Sequence, residues 1–96
     1  MGQLLRLKDV TPRHLVGVDI ETRIRDIQEL VRRTRLRERD GETDAILIVL
    51  SDSAVNRRLV DQLRDALGPG YATSPRLILR ALRAGERLPG SGVILV

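Results

Sequence analysis

Three carboxylates in the first quarter of the chain are the residues best suited to chemistry. Asp19 and Glu21 are two positions apart in a predicted strand, and the period of two places them on one face. Asp9 belongs to the preceding strand of a predicted hairpin, where we expect it to oppose them. Carboxylate oxygens are ligands that Mg²⁺ prefers, and a bound divalent ion activates water for attack on a phosphodiester. The pattern predicts a metal site with Asp9 and Asp19 as ligands.

A second interpretation of these carboxylates stays open. Charged residues in strands usually face solvent, so Asp19 and Glu21 would then lie on a solvated face. In that case Glu21 and Thr22 cap the helix that follows, and the chain needs no cofactor. The carboxylates therefore predict either a Mg²⁺-dependent site or no metal site.

A second cluster follows the apolar run Ala45–Leu50, where a predicted central strand ends and a helix begins. Ser53, Asn56 and Arg57 combine hydroxyl, amide and guanidinium groups at this helix start. Backbone N–H groups at a helix N-terminus suit an anion, and ligands favour this end of a parallel sheet. The alternative is ordinary helix capping, because Ser and Asp are common caps and Asp52 would repel an anion.

The third candidate is an arginine-rich segment. The formal net charge is +4, and residues 22–39 account for it, with seven Arg against three acidic residues. Arg25, Arg32 and Arg39 lie opposite the apolar face of the predicted helix, where they would contact the phosphates of a nucleic acid. The alternative is a solvated helix face, because a basic surface alone is weak evidence for nucleic-acid binding.

The elements that position these residues follow from hydrophobic periodicity. Apolar alternation on both sides of residues 11–13 predicts the hairpin, and apolar residues at helical spacing from Ile24 predict a long helix that ends near Gly41. The run Ala45–Leu50 is unbroken and rich in β-branched residues, which is typical of a strand covered on both faces.

The second half predicts two helices and a final strand. Residues 51–53 offer N-caps for the first helix, and the Gly-Pro-Gly at residues 68–70 ends it. Ser74 and Pro75 begin the next helix, Gly85 closes it, and residues 93–96 form a last strand. The order β-β-α-β-α-α-β predicts a single α/β domain over residues 1–96, with a small mixed, largely parallel sheet.

Composition excludes several classes of function. The chain has no Cys and a single His, His14, for which the pattern shows no partner, so thiolate and histidine zinc sites lack ligands. It has no Phe or Trp and only one Tyr, so it offers no platform for stacking bases. No apolar run is long enough for a membrane span, which makes the cytoplasm the default location. The hairpin edge predicts a homodimer or a partner protein that covers it.

Several motifs together resemble a known family from residue 17 onward. These motifs are residues 18–28 (VDIETRIRDIQ), the strand Ala45–Leu50, Asp52, residues 56–58 (NRR) and residues 81–85 (ALRAG). They resemble the C-terminal region of actinobacterial helix-turn-helix regulators, where the pattern runs E-x-E-T-R, D-x-Q, a buried strand, D-T-x-x-N-R-R and L-R-A-G. That region is similar to the restriction-endonuclease-like fold of the PD-(D/E)xK type.

This resemblance implies roles for particular residues. Asp9 would stand for the first acid, Asp19 for the second and Gln28 for the helix residue of the nuclease pattern. The sequence departs from the pattern at Glu21, where a nuclease of this type carries Lys. Arginines at 23 and 25 do not replace that Lys as a base, because Arg stays protonated.

Two functional hypotheses follow. The first is a non-catalytic, restriction-endonuclease-like domain that acts by association, in a regulatory role, and contacts DNA through its arginine-rich helix. The second is a divalent-metal nuclease that uses Asp9, Asp19 and Glu21. The helix-turn-helix that reads DNA in the family has no counterpart in these residues, so we carry over no transcription-factor activity.

Overall fold

The computed structural model describes residues 2–7, 14–41 and 43–96, with backbone alone for residues 2–7. The predicted order of strands and helices is confirmed, with a short 3₁₀ turn, Pro69–Tyr71, between the last two helices. The elements are β1 (Gly2–Leu7), β2 (His14–Glu21), α1 (Ile27–Asp40), β3 (Ala45–Leu50), α2 (Ala54–Leu67), α3 (Pro75–Ala84) and β4 (Gly92–Leu95).

The four strands form one mixed sheet in the order β1-β2-β3-β4. Strands β2, β3 and β4 are parallel, because a helical crossover separates each from the next, while β1 pairs with β2 antiparallel. Five of the six residues of the central strand β3 are buried, as its unbroken apolar sequence predicts. The sheet therefore has the predicted mixed, largely parallel character.

Helices cover both faces of the sheet. One core cluster joins side chains of α1 and α2 to Ile46, Ile48 and Leu50 of β3. The second cluster packs Ile78 and Ala81 of α3 against the opposite face. Alternate residues of β3 enter the two clusters, and the pairing of Asp19 with Ile48 places Asp19 on the face of the sheet that α1 and α2 cover. Among the described residues, no helix has the length and apolarity that a membrane crossing requires.

The start of α1 differs from the prediction. The apolar spacing places Ile24 in the helix, but the helix begins at Ile27, with Asp26 as its N-cap. The Asp26 carboxylate accepts a hydrogen bond from the backbone N–H of Glu29 at 3.1 Å. Ile24 is buried in the preceding loop, so its apolar character reflects the core and not the helix period. Arg25 consequently lies before the helix.

Candidate functional site

Asp19 and Glu21 lie on the face of β2 that α1 covers, and both carboxylates meet the guanidinium of Arg33. Arg33 Nη2 donates a hydrogen bond to Glu21 Oε1 at 2.7 Å. The same nitrogen lies 3.5 Å from Oδ2 of Asp19, whose side chain is 4% exposed. Asp19 is therefore buried within an ion pair and does not lie on a solvated face.

Arg33 supplies a cation beside the carboxylates, from a residue that the sequence analysis did not select. Its hydrogen bond to Glu21 and the charges of Asp19 and Glu21 raise the pKa of Arg33 above its ordinary value. The guanidinium stays fully charged and offsets part of the negative charge of the two carboxylates. It has no free base form, so it cannot accept a proton from water as a nuclease lysine would.

The packing of α1 on β2 explains why Arg33 reaches this position. Two residues of a strand and four residues of a helix both rise by about 6 Å along their axes. When a helix packs along a strand, every fourth helix residue therefore lies over every second strand residue. Arg37, four residues after Arg33, lies over Gly17, two residues before Asp19. A Cβ added to Gly17 would be 3.0 Å from Cδ of Arg37. The spacing of these pairs follows from the packed register, so the sequence alone carries no signal that identifies Arg33.

The other two residues predicted for the nuclease site are Asp9 and Gln28. Asp9 lies outside the described residues, and the strand register pairs Asp19 with Gly2 of β1. Gln28 is exposed in the first turn of α1 and makes no hydrogen bond to either carboxylate. Within residues 14–41 and 43–96, no group of three potential metal-ligating side chains comes together.

A cleft of about 500 Å³ opens beside the ion pair, between the end of β2 and the first turns of α1. Its lining includes Glu21, Arg23, Arg25, Asp26 and Glu29, together with Arg33. Cationic and anionic side chains alternate around it, so its wall carries no excess of either charge.

Asn56 makes buried hydrogen bonds at the same edge of the sheet. Its Oδ1 accepts from the backbone N–H of Ile24 at 2.9 Å, and its Nδ2 donates to the carbonyls of Thr22 and Ser51 at 3.0 and 2.8 Å. The side chain is 0% exposed. Asn56 therefore fixes the loop after β2 against the loop after β3.

Ser53 and Arg57, the other two residues of the predicted anion cluster, also make their contacts inside the chain. Ser53 is the N-cap of α2, and its hydroxyl accepts from the backbone N–H of Asn56 at 3.2 Å. Arg57 binds Asp52 through two hydrogen bonds, Nε to Oδ1 at 2.5 Å and Nη2 to Oδ2 at 2.9 Å. These contacts account for the cluster without a ligand, and anion binding there stays a prediction.

Arg25, Arg32 and Arg39 are all exposed, and they differ in their partners. Arg32 donates to the Glu29 carboxylate one turn earlier, with its Nη2 at 2.5 Å from Oε2. Arg39 has no carboxylate partner among the described residues, and Arg25 lines the cleft of mixed charge. The three side chains therefore do not form a continuous cationic row, and nucleic-acid binding by them stays a prediction.

His14 has partners that the sequence pattern did not show. The imidazole is 1% exposed, and its Nε2 accepts a hydrogen bond from the backbone N–H of Leu88 at 3.2 Å. This bond places the proton of the neutral ring on Nδ1, which lies 3.7 Å from Oδ2 of Asp44. Burial is the main cause that lowers the pKa of His14, with a contribution from Arg87 that the charge of Asp44 opposes. His14 connects the start of β2 to the loop before β4.

No protein-family model matches this chain, and neither a curated protein nor a solved structure matches it. The resemblance to actinobacterial regulators therefore stays a hypothesis that rests on the motifs quoted above. The fold itself is a small mixed α/β domain with three parallel strands and three helices.

Proposed function

We propose that this chain is a non-catalytic, restriction-endonuclease-like domain that acts by association and contacts DNA through an arginine-rich surface. The observation that carries the non-catalytic part is the bridge from Arg33 to both Asp19 and Glu21. In this proposal the carboxylates and Arg33 form a structural ion pair that fixes α1 on β2.

The charge of Arg33 argues against a hydrolytic role for this pair. A Mg²⁺ ion at the same carboxylates would have to displace the guanidinium or lie close to its positive charge, and both are electrostatically costly. Neither Arg33 nor Glu21 takes the role of the lysine in the nuclease pattern. The departure at Glu21 and the position of Arg33 thus support the same conclusion.

The charge of the chain supports the nucleic-acid part of the proposal. The chain has sixteen Arg and one Lys against thirteen acidic residues, with a formal net charge of +4. Arginine binds phosphate through two parallel hydrogen bonds, which makes it well suited to nucleic-acid backbones. The homodimer or partner protein that would cover the N-terminal hairpin stays a prediction, since the structure describes only the backbone of β1.

Two measurements on the same preparation test this function. Mg²⁺ and Mn²⁺ titrations by calorimetry, with a plasmid-nicking assay, use the unmodified chain and Asp19→Asn. Fluorescence anisotropy with a duplex oligonucleotide at rising salt measures DNA binding. We expect no saturable metal binding, no nicking, and DNA binding that weakens as salt increases.

Other outcomes would change the proposal in different ways. Saturable metal binding with nicking, both lost in folded Asp19→Asn, would establish the nuclease instead. An absence of DNA binding even at low salt would overturn the nucleic-acid part and leave association with a protein as the function to test.

A further inference from the structure

The outer face of α3 carries three arginines, which we call the arginine stripe: Arg76, Arg80 and Arg83. They are four and three residues apart, so their side chains lie along one side of the helix. All three are exposed, whereas Ile78 and Ala81 on the opposite side are buried against the sheet. The helix sequence PRLILRALRA contains no Asp or Glu. The stripe is therefore a row of like charge on a rigid element.

Three of the five arginines of α1 have a different environment. In that helix Arg33 and Arg35 bind Glu21 and Glu38, while Arg32 binds Glu29. In the described part of the chain, no carboxylate forms an ion pair with an arginine of the stripe. The sequence has its largest basic excess in residues 22–39, where Arg33 meets carboxylates from outside that segment. The three arginines of α3 form no carboxylate ion pair among the described residues.

We infer that the arginine stripe binds the phosphate backbone of duplex DNA. This inference rests on the proposed function and assigns its contact surface to α3. Arg76 and Arg83 are about 10 Å apart along the helix axis, at a rise of about 1.5 Å per residue. One DNA strand places a phosphate every 3.4 Å or so along the duplex axis, so the stripe spans roughly three phosphate spacings. A regular row of cations on a rigid helix matches a regular row of anions.

The structure favours duplex DNA over a single strand or a membrane. Proteins that bind single strands stack bases on aromatic side chains, and the sole aromatic residue, Tyr71, is 3% exposed. Amphipathic helices that bind membranes insert their apolar face, but the apolar face of α3 packs on the sheet. Only the electrostatic part of membrane binding remains for this helix.

Nearby residues modulate the charge of the stripe. Arg80 borders a shallow groove whose lining also includes Leu77, Glu86 and Arg87. Arg87 Nη2 lies 3.6 Å from Oδ1 of Asp44, so that arginine has a carboxylate partner. Glu86 is the acidic residue of the groove, and Glu86→Gln is expected to tighten DNA binding by removing its repulsion of phosphate.

The test compares two triple variants that lose the same positive charge. One is Arg76→Gln, Arg80→Gln and Arg83→Gln in α3. The other is Arg25→Gln, Arg32→Gln and Arg39→Gln near α1, the surface that the sequence favours. Anisotropy with a duplex of about 20 base pairs, from about 50 to 200 mM salt, gives the affinity and its salt dependence. Circular dichroism checks that each variant is folded.

The stripe variant is expected to lose affinity at least about tenfold at the lowest salt. Its plot of log affinity against log salt is expected to flatten by about 2.7, the value for three lost phosphate contacts. The α1 variant is expected to lose less than about threefold, because it keeps the arginine stripe and loses only nonspecific attraction. A single-stranded oligonucleotide of equal charge is expected to bind more weakly than the duplex.

Three results would overturn the inference. One is a folded stripe variant that binds DNA as the unmodified chain does, and another is an α1 variant with the larger loss. The third is displacement of the duplex by polyglutamate at equal charge concentration, which would show recognition of charge without phosphate. If the unmodified chain itself fails to bind, the DNA part of the proposed function fails and the inference falls with it.

Discussion

The phenol of Tyr71 donates a hydrogen bond to Oε2 of Glu38 at 2.6 Å, and this bond joins the turn after α2 to the last turn of α1. Arg35 holds the same carboxylate, with Nη1 at 3.0 Å from Oε2, and its Nη2 donates to the Leu67 carbonyl at 2.5 Å. The side chain of Tyr71 is buried in the cluster beneath α1 and α2. This network fixes the two helices together near their C-terminal ends.

Alkaline pH is expected to destabilise the fold through Tyr71. Burial, together with the hydrogen bond to Glu38, raises the pKa of Tyr71 far above its ordinary value of about 10. The folded chain therefore keeps this proton at a pH where the unfolded chain releases it, so stability is lost as pH rises above about 10. Since Tyr71 is the only tyrosine, ultraviolet absorbance of phenolate reports this group alone.

The phenolate absorbance is expected to appear together with unfolding as measured by circular dichroism. Tyr71→Phe should remove the Tyr71 contribution to this alkaline loss and cost about 1 kcal/mol at neutral pH, the usual worth of a hydrogen bond. A native chain whose tyrosine titrates near pH 10 would contradict the buried network.

Removal of Arg33 is expected to destabilise the chain at neutral pH. Arg33→Gln leaves Asp19, at 3% exposure, and Glu21 with like charges on one strand face. We expect a loss of about 1–3 kcal/mol in the free energy of unfolding, the usual worth of a hydrogen bond between charged groups that the substitution removes. Urea denaturation at pH 7 measures it.

Arg32→Gln is the matched control on the same helix. Its partner Glu29 and its own side chain are exposed, so the change is expected to stay within about 0.5 kcal/mol. Equal effects of the two substitutions would show that the Arg33 bridge is no stronger than a surface ion pair.

Asn56 is expected to be critical for stability although it lies beside the candidate site. Asn56→Ala removes the partner of the Ile24 N–H and of two carbonyls, and it leaves a cavity at the start of α2. We expect a loss of about 2–4 kcal/mol, since groups without their hydrogen-bond partners add to the cavity cost. Thermal and urea unfolding measure this loss. Arg58→Ala, at an exposed position two residues later, should change stability by less than about 0.5 kcal/mol.

Acidic pH is expected to destabilise the fold through His14. The pKa of His14 is lowered, chiefly by burial, so the folded chain holds the ring neutral at a pH where the unfolded chain binds a proton. The contribution of the neutral His14 to the free energy of unfolding is complete above the ordinary imidazole pKa of about 6.5. It is lost as pH falls through the lowered pKa of the folded chain. Protonation also places hydrogen on Nε2, which then no longer accepts from Leu88.

The single imidazole gives one resolved NMR titration. We expect its midpoint below 6.5, and we expect Arg87→Gln to raise it because that change removes a nearby positive charge. A midpoint at or above 6.5 would contradict the buried, neutral imidazole.

Much of the fold follows from local sequence. The apolar run of β3 predicts a strand buried on both faces, and the glycines that end α1 and α3 have positive φ, at +71° for Gly41 and +67° for Gly85. The predicted start of α1 was wrong by three residues, because Ile24 is buried in the core from the loop before the helix. Hydrophobic spacing alone does not distinguish an apolar residue of a buried loop from one of a helix. A cap such as Asp26 is the better local signal for a helix start.

The candidate site also has a part that the sequence predicts and a part that depends on the tertiary structure. The sequence by itself determined that Asp19 and Glu21 share one face of β2, since a strand alternates its side chains whatever packs on it. Only the tertiary structure decided that Arg33 faces them, because that contact requires α1 to lie along β2 in one register. Local sequence places Arg32 beside Glu29, three residues away on the same helix, whereas packing between elements decides the partners of Arg33. The net charge is a property of the sequence, but ion pairs between elements depend on distances that only the fold sets.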